Sequence, residues 1–166
     1  MTVLKTSKDQ SFRHEHLLVL PVPFRRCGNE LHVEAQARRG QERWLDSFET
    51  LAVAAPVIPE QLARGMRETL WCPRGRSSER VHVVPLPWAG RPPDHFLRWL
   101  PATIKVLDRS IAESCCLQFA IGGAWGDWTA VAAELALRQR CPYAVHTDNV
   151  AHEFVRRVFR RGTHRK

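Results

Sequence analysis

Short continuous apolar runs alternate along this chain with segments of helical spacing. Leu17-Leu18-Val19-Leu20, Leu51-Ala52-Val53-Ala54-Ala55 and Val81-His82-Val83-Val84-Pro85-Leu86 each read as a strand, the first two buried on both faces. Cys116 to Ile121 and Tyr143 to Thr147 read the same way. Between them, residues Glu30 to Arg39 tolerate a helix, Gly40 ends or bends it, and Trp44, Leu45 and Phe48 form a short apolar helical face. A longer helix is predicted from about Asp94, with Leu97, Leu100, Ile104, Leu107 and Ile111 at alternating three and four; Pro101 should kink or split it. Another begins after Asp127, with Val131, Ala132, Leu135 and Ala136 on one face, and Val150 to Arg161 is helix-compatible. Ile58 to Ser78, with Pro73, Gly65, Gly75 and many charges, reads as an irregular excursion. Strands alternating with helices predict an α/β fold: a parallel sheet of about five or more strands with helices on both faces.

The chemistry is expected at the strand tips. Open α/β sheets bind ligands outside the carboxyl ends of their strands. Ile121-Gly122-Gly123-Ala124-Trp125-Gly126-Asp127 is a strand end, a glycine turn and a helix cap in succession. As a cap, Asp127 can accept from the free N–H groups of the first turn. A second tip ends in Thr147-Asp148-Asn149. After the first strand, Pro21-Val22-Pro23 leads into Phe24-Arg25-Arg26-Cys27-Gly28-Asn29, read as a loop that could receive an anion or a polar ligand. It carries neither a dinucleotide fingerprint nor a P-loop.

Composition narrows the classes. At 166 residues, 44% apolar and 25% charged, the chain is expected to be one globular domain. Residues 1–15 read as a flexible leader, 16–155 as the folded domain and 156–166 as a basic tail. No apolar stretch reaches the roughly 20 residues that span a bilayer, and no secretory signal is evident, so the expected location is the cytoplasm. The five cysteines contain no C-x-x-C pair, which fits neither a disulfide framework nor structural zinc. His14-x-His16 is the tightest histidine cluster and lacks a third ligand, so no metal and no cofactor is expected. The net charge of +8, concentrated in Arg156, Arg157, Arg160, Arg161, Arg165 and Lys166, attracts polyanions. Val155, Val158 and Phe159 beside those arginines suit an anionic membrane surface at the inner face. The absence of interleaved aromatics and of a helix-turn-helix or RNA-binding signature argues against nucleic acid.

Val22-Pro23-Phe24, Glu49 to Pro59, Gly122-Gly123-x-Trp125-Gly126-Asp127 and Thr147-Asp148 together resemble the N-terminal half of a family 4-type glycosyltransferase of the GT-B fold. The resemblance runs from about Leu17 to Arg157. It implies a Rossmann-like domain, half of a GT-B fold, that holds the sugar acceptor across a cleft from a second domain holding the nucleotide-sugar donor. Transfer in that family retains anomeric configuration and usually needs no metal. The resemblance places Asp127 and Asp148 as the catalytic candidates at the cleft, and Gly28, Asn29, Gly123, Trp125 and Asn149 as substrate-binding. His146 stands one residue before Thr147-Asp148 and is not assigned the catalytic role.

The family's acidic donor-gripping pair lies in its second half, which has no counterpart before Lys166. The expectation is therefore an acceptor-binding domain of polysaccharide biosynthesis, truncated and inactive alone, that binds donor and acceptor productively only with a second domain. An exposed cleft face should favour self-association. The alternative is a stand-alone basic α/β binding or regulatory module contacting anionic partners.

Overall fold

The computed structural model describes residues 13–65, 70–74, 79–89, 93–122 and 127–147. The chain forms an α/β fold around one eight-stranded mixed sheet. Five strands make its parallel centre: β1 (His14–Val19), β4 (Leu51–Ile58), β6 (Val81–Pro87), β7 (Ser114–Ala120) and β8 (Ala144–His146). Their spatial order is β6-β4-β1-β7-β8. Renumbered among themselves this is 3-2-1-4-5, the Rossmann-like doubly wound order, whose direction of winding reverses between β1 and β7.

All five are the apolar runs read from the sequence. The first begins at His14, inside the segment expected to be leader. Their alternation divides the core in two. Leu17, Val19, Ala52, Ala54, Leu86 and Phe119 face helices α3 (Pro93–Ala112) and α4 (Trp128–Arg138). Leu18, Leu51, Val53, Ala55 and Val81 face the other way, toward α1 (Ala35–Trp44). Helices therefore lie on both faces, and β4 is buried along nearly its whole length.

Three further strands correct the sequence reading. The segment expected to be a ligand-facing loop is a β-hairpin, β2 (Phe24–Cys27) and β3 (Glu30–Glu34). Gly28 and Asn29 are its two-residue turn, and Gly28 takes φ +59° at the first central position, as a type II′ hairpin turn requires. Glu30 to Glu34 is thus strand rather than helix. The reason is tertiary: Val33 is paired with Phe24, and both are buried beneath α1. α1 starts at Ala35 and passes through Gly40, where no neighbouring atom crowds the missing Cβ.

β2 follows β1 along the same edge of β4. β1 pairs with Leu51 to Ala54, β2 with Val57 and Ile58, and the prolines of Pro21-Val22-Pro23 interrupt the ladder between them. The expected irregular stretch holds α2 (Glu60–Gly65) and β5 (Trp71–Pro73), which pairs antiparallel with β3. β3 is the one described strand that runs against the rest.

α3 also departs from expectation by continuing through Pro101. The ring is solvent-exposed there, while Thr103, Leu107, Ser110 and Ile111 seat the same helix on the sheet. Packing along that stripe outweighs the one lost backbone hydrogen bond. At the opposite edge of the sheet, β6 carries Pro85 and Pro87 in register with Ala55 and Val57. Among the described residues β6 pairs only with β4. Arg80, just before β6, ties down the connection from α1 to β4: its guanidinium donates to the carbonyls of Leu45, Phe48 and Glu49 at 2.8–2.9 Å.

Candidate functional site

The switch point between β1 and β7 carries a crevice of about 310 Å³. Leu18, Leu20, Pro21 and Val22 bring the end of β1 to it, Ala120 the end of β7, and His146 the end of β8. The far wall is one stripe of α1 and its cap: Glu34, Ala37, Gln41 and Trp44, spaced at three, four and three, with Gln36 and Gly40 beside them. The two strand-end loops approach closely below it. A Cβ on Gly122 would stand 3.1 Å from Pro21 Cγ.

Polar groups in this crevice are few. Glu34 is the N-cap of α1, its carboxylate accepting from Ala37 N at 3.1 Å. That places a negative group on the helix end where a Rossmann-like crevice ordinarily receives phosphate. Gln41 is 4% exposed, and its Nε2 donor has no hydrogen-bond partner among the described atoms. A buried amide left so costs about 1–3 kcal/mol. His146 meets Gln118 through Nδ1 and Nε2 at 2.9 Å; if the amide donates, the ring's Nε2 carries the proton. The remaining lining is apolar, with Trp44 as its largest ring.

Beneath the crevice, on the face that Leu18 shares, His16 is also buried. Its ring stacks 4.8 Å from Trp44 and 4.4 Å from Phe48, and neither nitrogen reaches a hydrogen-bond partner. Burial, the largest cause, holds this imidazole below its ordinary value of 6.5. His14, stacked 5.0 Å from His82, is lowered as well, first by burial and then by the charges of His82 and Arg13, with Glu113 opposing.

The sign of the pH dependence follows. Below about pH 6.5 the unfolded chain takes up protons that the folded chain resists, so stability is present above that pH and is lost toward acid. The urea midpoint is expected to fall between about pH 7.5 and pH 5.5, and His16→Phe should flatten that slope. A midpoint independent of pH over this window would contradict it.

The predicted site residues fare unequally. Asp127 caps α4. One carboxylate oxygen accepts from Thr129 N at 2.9 Å and from the Thr129 hydroxyl, and the other from Gly122 N at 3.3 Å. It thereby ties Gly122 to the start of α4. Gly28 and Asn29 sit in the hairpin turn and do not line the crevice. Gly123, Trp125, Asp148 and Asn149, and the basic segment 156–166, lie outside the described residues.

Glu34, Gln41 and Gln118 were not singled out from sequence, and Trp44 was read only as part of an apolar helical face. The signal for Glu34, Gln41 and Trp44 was the helical spacing across Gly40, hidden by reading the helix as ending or bending there. Among the described residues no three potential metal ligands cluster, and no helix is long and apolar enough to cross a membrane. Compared with family models, curated proteins and solved structures, the chain finds no match in any of the three.

Proposed function

We propose that this chain is the acceptor-side domain of a glycosyltransferase, its β1–β7 crevice holding a neutral, hydroxyl-bearing acceptor while a second domain supplies the nucleotide-sugar donor. The observation that carries the reading is the presence of both Glu34 and Gln41 on the crevice wall. The carboxylate occupies the helix end that a phosphate would need, which disfavours an anion there. The unpartnered Gln41 amide calls for an oxygen to accept its hydrogen, and a sugar hydroxyl supplies one.

Trp44 gives an apolar surface for the C–H face of a ring. His146, oriented by Gln118, offers a second hydrogen-bonding position at the rim. On this reading Asp127 is a positioning residue for the turn, and Asp148 remains the carboxylate candidate for the reacting hydroxyl. The domain's contribution to catalysis is orientation of the acceptor.

Saturation-transfer NMR of the full chain against neutral oligosaccharides and a nucleotide sugar tests this. Neutral glycans are expected to bind weakly without the second domain, and Gln41→Leu to weaken them by about tenfold, the worth of one hydrogen bond. Nucleotide-sugar binding that Gln41→Leu abolishes, with no glycan binding, would sink the proposal.

The alternative, a basic module on anionic surfaces, rests on the net charge of +8. It is distinguished by binding to phosphatidylserine vesicles that falls steeply with salt and ignores Gln41→Leu.

A further inference from the structure

α1 carries a glycine in its middle that neither conformation nor packing accounts for. Gly40 lies well inside the helix Ala35–Trp44. Only proline is a poorer residue in a helix interior, because glycine has the most backbone freedom to lose and no side chain to pack. A left-handed backbone does not require it, since Gly28 is the one described glycine with positive φ. A tight contact does not require it either. Apart from the helix itself, no atom lies within 4 Å of the place a Cβ on Gly40 would take, whereas at Gly122 Pro21 Cγ stands 3.1 Å away.

What Gly40 does border is the crevice. It stands one helical turn before Trp44 and next to Gln41, and all three line the same wall. Residues four apart on a helix are neighbours, with Cβ atoms roughly 5–6 Å apart, so the gap left by Gly40 lies beside the indole. Gln41, 4% exposed, brings a buried donor without a partner to the same wall. An indole face, bare helix backbone next to it and an unpaired donor at its side suit a ring with one apolar face and a hydroxyl on its rim. At about 310 Å³ the crevice is at the small end of ligand sites, which fits a ring rather than a long chain.

We propose that Gly40 determines specificity: one neutral sugar ring of the ligand lies over the α1 backbone at Gly40, its apolar face against Trp44 and a hydroxyl accepting from Gln41 Nε2. This rests on the acceptor-site reading above and adds where the ring lies and why the residue beneath it is glycine. A methyl group at position 40 would lift the ring off the backbone and away from both partners. The helix gives up stability at this position so that the ring can approach it closely.

Gly40→Ala is the test, because stability and binding should move in opposite directions. The full chain is titrated with maltose, cellobiose and lactose by saturation-transfer NMR, and thermal unfolding is followed by circular dichroism. Gly40→Ala should raise Tm by about 2–4 °C, a better helix former entering open space, and weaken disaccharide binding by about tenfold or more. Gly40→Leu should abolish binding while the protein stays folded. A Tm that falls in Gly40→Ala would show that the fold itself needs the glycine, and would overturn the inference. Disaccharide binding that neither substitution changes would overturn it as well, yet leave the acceptor-site reading standing. If the unmutated chain binds none of the three sugars, both fall. A dimer in sedimentation that Gly40→Leu dissociates, with sugar binding intact, would assign the glycine to contact between copies instead.

Discussion

Trp128→Ala is expected to lower the unfolding free energy by about 4 kcal/mol, the typical cost of deleting a buried indole. Trp128 is 2% exposed at the first turn of α4. Its ring stacks on Phe96 of α3 at 4.5 Å, and its Nε1 donates to Pro87 O at the end of β6 at 2.8 Å. One side chain therefore joins two helices and the sheet, and removing it leaves a cavity and an unpaired carbonyl. Domains of this size are stable by only about 5–15 kcal/mol, so the variant should sit near its folding limit. Trp128→Phe, which keeps most of the packing and loses the hydrogen bond, should cost about 1–2 kcal/mol. Urea unfolding of the three proteins is the measurement. An unchanged midpoint for Trp128→Ala would mean that α4 is not seated as described.

Phe24→Ala should cost about 3–4 kcal/mol, with a different distribution. Phe24 is 1% exposed where β2 joins β4, and it packs beneath α1 with Val33 across the hairpin. Its loss acts on the hairpin and on α1, the element that walls the crevice. Hydrogen exchange should therefore show the amides of β2, β3 and β5 losing protection first, while those of β1 and β7 follow global unfolding. Uniform loss of protection across all eight strands would show that the hairpin is not a separate unit.

The contrast between these two sites explains what was readable in the sequence. Trp128 belongs to the parallel centre, where strands buried on both faces must be continuous apolar runs and helices must show one apolar stripe. Leu51 to Ala55 and the stripe after Asp127 announce themselves for that reason. The hairpin does not. Arg25, Arg26 and His32 place polar side chains on short strands, and Glu30 to Glu34 has no intrinsic bias that survives its pairing with Phe24 to Cys27. Gly28-Asn29 was read as part of a ligand-receiving loop, because glycine provides φ > 0 in a hairpin turn and in such a loop alike.

The site divides along the same line. The ends of β7 and β8 were legible from the apolar runs that stop near Ile121 and Thr147, whereas the switch point between β1 and β7 emerges only from the strand order. Asp127 was read with both of its prospects, cap and ligand, and its carboxylate is engaged by Thr129 and Gly122. Gln41 and Glu34 escaped notice because neither residue type is unusual on a helix. Their meaning comes from which face is turned inward, and the neighbours across the crevice decide that.

Pro85 and Pro87 carry one last implication. Neither can donate a backbone hydrogen, so β6 offers an incoming strand an incomplete row of donors. Copies of the molecule meeting edge to edge there would lack two of the ladder's donors, so a shared sheet, and with it fibrous assembly, is disfavoured on that flank.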